Sequence, residues 1–154
     1  MKTTFDLIRQ PSYNGYIFGT IYNDSERICD TLELESELLL PAGKHEILCN
    51  SEWLIEHEIF IANNLSVTNN SKFCHNNYYK YRNITIRNHN NHIVIGQIND
   101  SATLKNELYH YSRFMELVIK LLKSNAKIYI NISNAVETPI SEMSNDEYFL
   151  SYVL

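Results

Sequence analysis

Four glycines and three prolines are few for 154 residues, which removes collagen-like, linker-rich and low-complexity architectures, since those residues dominate such chains. Long hydrophobic runs are lacking too: no stretch approaches the roughly 18 apolar residues that a membrane-spanning helix needs. The start, Met1-Lys2-Thr3-Thr4-Phe5-Asp6, has no apolar secretory segment. The expected location is therefore cytoplasmic, or exported or virion-associated without a signal peptide. Three cysteines, Cys29, Cys49 and Cys74, are odd in number and widely spaced, so they suggest neither a disulfide framework nor a paired zinc motif. Free buried thiols are expected. Acidic residues are missing between Glu58 and Asp100, where Lys72, Lys80, Arg82 and Arg87 all fall, so a basic stretch is set within a chain of formal charge -5.

What remains is ordinary globular material, 44% hydrophobic and 20% charged, with length enough for one core. A single β-rich domain is expected over 1–133. The stretch 134–154, with Pro139, Glu142, Asp146 and Glu147, reads as an appendage that Tyr148, Phe149, Tyr152 and Val153 could dock on the body or on a partner. Frequent Asn, Ile, Lys and Tyr have the character of codon bias in an AT-rich genome, in keeping with a bacterial or phage source.

The first third reads as short strands separated by turn chemistry. Thr4 to Arg9, Tyr16 to Tyr22 and Arg27 to Leu32 are β-branched and aromatic runs, and between them lie Pro11-Ser12-Tyr13-Asn14-Gly15 and Asn23-Asp24-Ser25. Those turn residues tolerate the left-handed conformations of tight hairpins, so an antiparallel meander is expected. Pro41-Ala42-Gly43 precedes two further strands, Lys44 to Cys49 and Glu56 to Ala62. Asn63 to Arg82 has no steady period and is expected to be a long loop containing at most a short strand, a kind of segment that often carries function. Ile84 to Ile86 and His92 to Ile95 are short apolar strands, the second ended by Gly96, and Lys127 to Ile132 alternates as the last strand.

A helix is predicted from about Leu104 to Lys123, because Leu104, Leu108, Tyr111, Met115, Val118 and Leu122 recur at steps of four and three and so fall on one stripe. Glu107, His110, Arg113, Glu116, Lys120 and Lys123 fill the opposite face. Ser101 or Thr103 can cap its start, and Asn125 can take the left-handed position past its end. The fold class that follows is mainly β (α+β): an antiparallel sheet or partly open barrel with one amphipathic helix packed on it.

The densest polar cluster is Arg87-Asn88-His89-Asn90-Asn91-His92. Imidazole is the commonest metal ligand, but no Asp or Glu lies near in sequence to complete a set, so no metal and no cofactor is expected. The segment reads as a polar loop offering Arg87, His89, Asn90 and His92 for binding. Cys74 is followed by His75, yet neighbours on an extended strand point to opposite faces; a catalytic Cys74 would need His89 or His92 to reach it through space. Glu33, Glu35 and Glu37 alternate onto one side of an extended segment and read as a solvated edge that discourages aggregation. Tyr79, Tyr81 and Arg82, with Phe73, Tyr78, Lys72 and Lys80, combine rings and cations as nucleic-acid and sugar surfaces do, but net acidity argues for a protein partner instead.

Cys29-Asp30-Thr31-Leu32-Glu33, Leu40-Pro41-Ala42-Gly43-Lys44-His45, Ile84-Thr85-Ile86-Arg87-Asn88-His89-Asn90, His92-Ile93-Val94-Ile95-Gly96 and Ser112-Arg113 follow one another over about Phe5 to Ile132. Taken in order they resemble an uncharacterised bacterial and phage domain family of unknown function. Its members carry a Cys-aromatic-Thr-Leu-Glu strand end, an Ile-Pro-Ala-Gly-Thr-Tyr turn, an Ile-His-x-Gly-Asn segment leading into Gly-Cys-Ile-x-Val-Gly, and a helix containing Ser-Arg. The family's His and Gly-Cys pair is similar to the active-site signature of L,D-transpeptidases, cysteine enzymes that remodel peptidoglycan, which implies a cell-wall role for the family. Here Arg87 stands at the family's His position and His92 at its Cys position, and the segment between them is shorter. Without a thiol there no thioester can form, so the resemblance implies a member that has lost such chemistry.

The function expected is a non-enzymatic binding or structural module of phage or mobile-element origin, meeting another protein or an assembly through its polar and basic loops. The alternative is a peptidoglycan-processing enzyme of cysteine/histidine type, or a degenerate relative of one, acting on cell-wall glycan or peptide. No membrane partner is expected, and nucleic acid is disfavoured.

Overall fold

The computed structural model describes residues 2–49, 59–63, 70–75, 92–98 and 104–135. In chain order they form β1 (Lys2–Arg9), β2 (Tyr16–Asn23), β3 (Glu26–Leu34), β4 (Gly43–Cys49), β5 (Ile59–Ala62), β6 (Lys72–Cys74), β7 (His92–Ile98), β8 (Leu104–Lys105), α1 (Glu107–Lys123) and β9 (Lys127–Asn134). Two tight turns start the sheet. Asn14 (φ 51°) and Gly15 (φ 82°) sit between Tyr13 and Tyr16, which exchange backbone hydrogen bonds of 2.8 and 3.0 Å. Asp24 (φ 49°) and Ser25 (φ 70°) join β2 to β3 in the same way. Two successive left-handed residues give a turn whose twist matches the flanking strands, so β1, β2 and β3 form the expected meander.

The strands run in the order β5-β4-β9-β1-β2-β3-β7-β6, with β8 pairing β7. Most pairings are antiparallel, but β1 with β9 and β6 with β7 are parallel. β9 lies between β4 and β1, not at an edge, because α1 carries the chain back to the end of the sheet where β1 begins; a parallel neighbour needs such a crossover. The two edge strands nearly meet. Ile61 N–H donates to the Ser71 carbonyl (2.8 Å) and Ser71 N–H to the Ile61 carbonyl (3.0 Å), which turns the sheet into an almost closed barrel.

Alternation places Phe5, Leu7, Ile21, Ile47, Ile61, Phe73, Ile93, Ile95, Ile128, Ile130 and Ile132 in one core cluster inside the barrel. α1 supplies Phe114, Met115 and Val118 to it. The Phe114 ring stands edge-on to Phe5 (5.2 Å between centroids) and to Phe73 (4.9 Å), a favoured aromatic geometry. α1 thus closes the end where β1 and β9 start. On the outer face, Phe18, Leu32 and Val94 line up across β2, β3 and β7, and with Ile98 and Leu104 they make a second, smaller apolar cluster.

Several expectations need correction. The helix starts at Glu107, not Leu104: Leu104 and Lys105 pair with Ile98 and Gln97, which draws Leu104 into the outer cluster, and Asn106 (φ 54°) turns the chain without a side-chain cap. The proposed caps Ser101 and Thr103 lie outside the described residues. The buried stripe is turned about the helix axis. Leu108 is 48% exposed, whereas Glu107, read as solvent-facing, is 5% exposed and Phe114 fully buried. Gly96 does not end its strand; β7 continues to Ile98, and the absent side chain gives room to α1, since a Cβ there would lie 3.2 Å from Glu107 Cγ and Leu104 Cβ. Asn125 (φ 61°) does take the left-handed position, where Asn125 N–H donates to Leu122 O and Ala126 N–H to Leu121 O, closing the helix. Asn134, read as the start of the appendage, is the last residue of β9, and 136–154 lie outside the described residues, as do Glu56 and the strand expected at Ile84 to Ile86.

Candidate functional site

Of the residues singled out in the sequence, Cys74 and His92 are described; Tyr79, Tyr81, Arg82, Arg87, His89 and Asn90 lie outside the described residues. Cys74 ends β6 and His92 opens β7, and the parallel register pairs Lys72 with His92 and Cys74 with Val94. Because side chains alternate, Phe73 and Ile93 enter the barrel while Lys72, Cys74, His92 and Val94 share the outer face. The two residues that the sequence could only hope would meet are thus on one face of adjacent strands. They are diagonal neighbours, on the order of 8 Å apart between Cα atoms by strand spacing and rise.

The chemistry of Cys74 is set by its surroundings. It packs against the outer apolar cluster of Phe18, Leu32 and Val94, and burial pushes its thiol up to about 12. Burial also pushes the Cys29 thiol up, aided by the negative charge of Asp30. The His75 ring lies against α1, 4.8 Å from the ring of Tyr111. His45 is inside the barrel, where its ring Nε2 hydrogen-bonds the Pro41 carbonyl at 2.7 Å. Among the described residues no group of three or more His, Cys, Asp or Glu side chains converges as a metal would require.

Sequence reasoning missed the charges inside. Arg9 and Glu33, 3% and 2% exposed, form a bidentate pair, Nε to Oε2 at 2.8 Å and Nη2 to Oε1 at 2.7 Å. Glu33 is therefore no solvated edge. Glu35 accepts from Ser12, and Glu37 is exposed beyond the end of β3. The available signal was phase: Arg9 continues the inward series Phe5, Leu7, and Glu33 the inward series Cys29, Thr31. At this end of the barrel, opposite α1, a cleft of about 400 Å³ is lined by Arg9, Gln10, Ser12, Ile17, Pro41 and Asn134 among others.

A second buried carboxylate, Asp30, ties three strands together: it accepts from Thr20 Oγ1 (2.9 Å), Arg27 Nη2 (2.7 Å) and the Ile98 backbone N–H (2.9 Å). Near it, burial raises the Glu107 carboxyl, against the pull of its own backbone N–H and of His75. Burial likewise lowers His110, with Asp30 acting against the shift. Asp30 is fully satisfied and holds β2, β3 and β7 in place; it has the character of scaffold. Among the described residues, the barrel mouth brings a buried charge pair to the edge of an open cleft.

Comparison of the chain with known family models, with curated proteins and with solved structures finds no match.

Proposed function

We propose that this chain is a non-enzymatic binding or structural module, of phage or mobile-element origin, that meets another protein or an assembly. The observation that carries this reading is the packing of Cys74 into the row Phe18, Leu32, Val94. A cysteine nucleophile works as thiolate, and a thiol held up to about 12 is ionised to roughly one part in 10⁵ at neutral pH. The segments 63–82 and 87–92 carry the basic and aromatic groups that would meet the partner. Replacing Arg82 and Arg87 with Ala should then weaken a salt-sensitive interaction.

The competing reading is a cell-wall enzyme or its degenerate relative, favoured by the shared outer face of Cys74 and His92 and by the sequence resemblance. Alkylation of the folded protein with iodoacetamide near neutral pH separates the two. Slow labelling of Cys74 relative to free cysteine supports the binding module; labelling at or above the free-cysteine rate overturns it.

A further inference from the structure

The barrel mouth contains two polar groups with unused capacity. Arg9 spends Nε and Nη2 on Glu33, which leaves Nη1 uncommitted among the described residues, and Arg9 lines the cleft. Next to it, Gln10 also lines the cleft, and its Oε1 is buried with no hydrogen-bond partner among the described residues. A buried acceptor left unpaired is costly, and a guanidinium edge is among the strongest donors a protein presents. Gln10 as a whole is half-buried and lines the cleft, so a turn of its terminal amide would be needed to present Oε1 to a ligand there. One donor edge and one acceptor thus belong to residues that line the same cleft.

Charge decides what suits them. Glu33 already neutralises Arg9, and both are almost wholly buried. A second anion would meet Glu33 in a poorly screened site with no countercharge left, whereas a neutral dipole incurs no such penalty. Apart from Ser12 and Asn134, the rest of the described lining is aliphatic, Pro11, Ile17, Leu39, Pro41, Ala42 and Ala135, without an aromatic ring on which a sugar would stack. The geometry points to a binding site for uncharged backbone amides, one residue of an extended protein segment, whose C=O accepts from Arg9 Nη1 and whose N–H, on the same side of the strand, donates to Gln10 Oε1. This names the ligand class of the binding module proposed above and rests on that reading.

The test is an NMR titration of the intact chain with N-acetyl-L-alanine N′-methylamide and, in parallel, with sodium acetate. Saturable shifts at the Gln10 side-chain amide and the Ala135 backbone N–H are expected with the capped alanine and not with acetate. Gln10→Leu, which keeps the side-chain bulk, is expected to weaken binding about fivefold, the effect of one neutral hydrogen bond, with the rest of the spectrum unchanged. Acetate binding as tightly as the amide would overturn the assignment in favour of an anion site; so would the absence of saturable shifts, or a Gln10→Leu variant that binds as well as the parent. Cysteine labelling is read separately. Fast labelling of Cys74 together with saturable cleft shifts would remove the non-enzymatic reading and keep the amide site, and slow labelling without shifts would do the reverse.

Discussion

Gly19 of β2 and Thr31 of β3 face each other so closely that a Cβ on Gly19 would lie 2.7 Å from Thr31 Oγ1, 2.9 Å from Leu7 Cδ1 and 3.0 Å from the Ile8 carbonyl. Gly19 also stands opposite Arg9 in the register, so this contact sets how near β1, β2 and β3 approach just inside the barrel mouth. Gly19→Ala is expected to lose about 1–3 kcal/mol through overpacking, despite the better strand propensity of alanine. A thermal melt that is unchanged would show that Thr31 and Leu7 can yield.

The Arg9–Glu33 pair predicts asymmetric costs. Glu33→Gln leaves the guanidinium buried without its counterion and is expected to cost about 3–5 kcal/mol in urea unfolding. Arg9→Met combined with Glu33→Leu removes both charges and should recover most of that loss. A double variant as unstable as the single one would mean that the pair serves packing that aliphatic groups cannot supply.

Helix variants test which face is buried. Val118→Asp places a charge in the core cluster and should abolish the cooperative melt, and Met115→Asp likewise. Leu108→Asp, on a residue 48% exposed, should change stability by no more than about 0.5 kcal/mol. Equal effects would place Leu108 on the packed side.

Cys74 gives a pH dependence of definite sign. Its thiol is raised by burial from 9.0 to about 12, so the unfolded chain ionises first and stability present below pH 9 is lost as pH rises toward 12. Cys29 acts in the same direction. Cys74→Val should flatten the alkaline fall in stability by about 1 kcal/mol per pH unit. Parallel curves for variant and parent would show Cys74 to be solvated.

Glu107 has the opposite test, on the acid side. Its carboxyl is raised above 4.5 by burial, so the protonated form favours the fold, and that contribution fades as pH rises through the raised value. Glu107→Gln is expected to be slightly more stable than the parent at neutral pH in urea unfolding. The difference should disappear below about pH 4.5, where both side chains are neutral in the folded and unfolded states. A variant less stable at neutral pH would show that the ionised Glu107 is used at the helix start.

Much of the strand layout was legible because it is local. Asn14-Gly15 and Asp24-Ser25 announce their turns by residue type, and the alternation of Phe5, Leu7 and Ile128, Ile130, Ile132 marks an inner face whatever lies across it. The helix end was legible for the same reason, since Asn125 tolerates the left-handed conformation on its own account. Its start was not. The periodicity of Leu104 with Leu108 is real, but Leu104 is held by Ile98 in β7, and a strand pairing overrode the helical pattern. In the site, sequence named Cys74 and His92 without knowing that they share a face, misread Glu33 as part of a solvated edge, and gave Arg9 and Gln10 no part.

The divide follows sequence separation. Turn chemistry and period-two patterning act over a few residues, so composition and order alone dictate a strand-rich chain with one amphipathic helix. Which strands become neighbours depends on contacts between distant positions: Ile61 with Ser71 to close the barrel, β9 beside β1, and Arg9 with Glu33 across 24 residues. Only when the barrel closes does its inward face become solvent-free, and only then do an arginine and a glutamate that look like surface residues become a buried pair at the floor of a cleft.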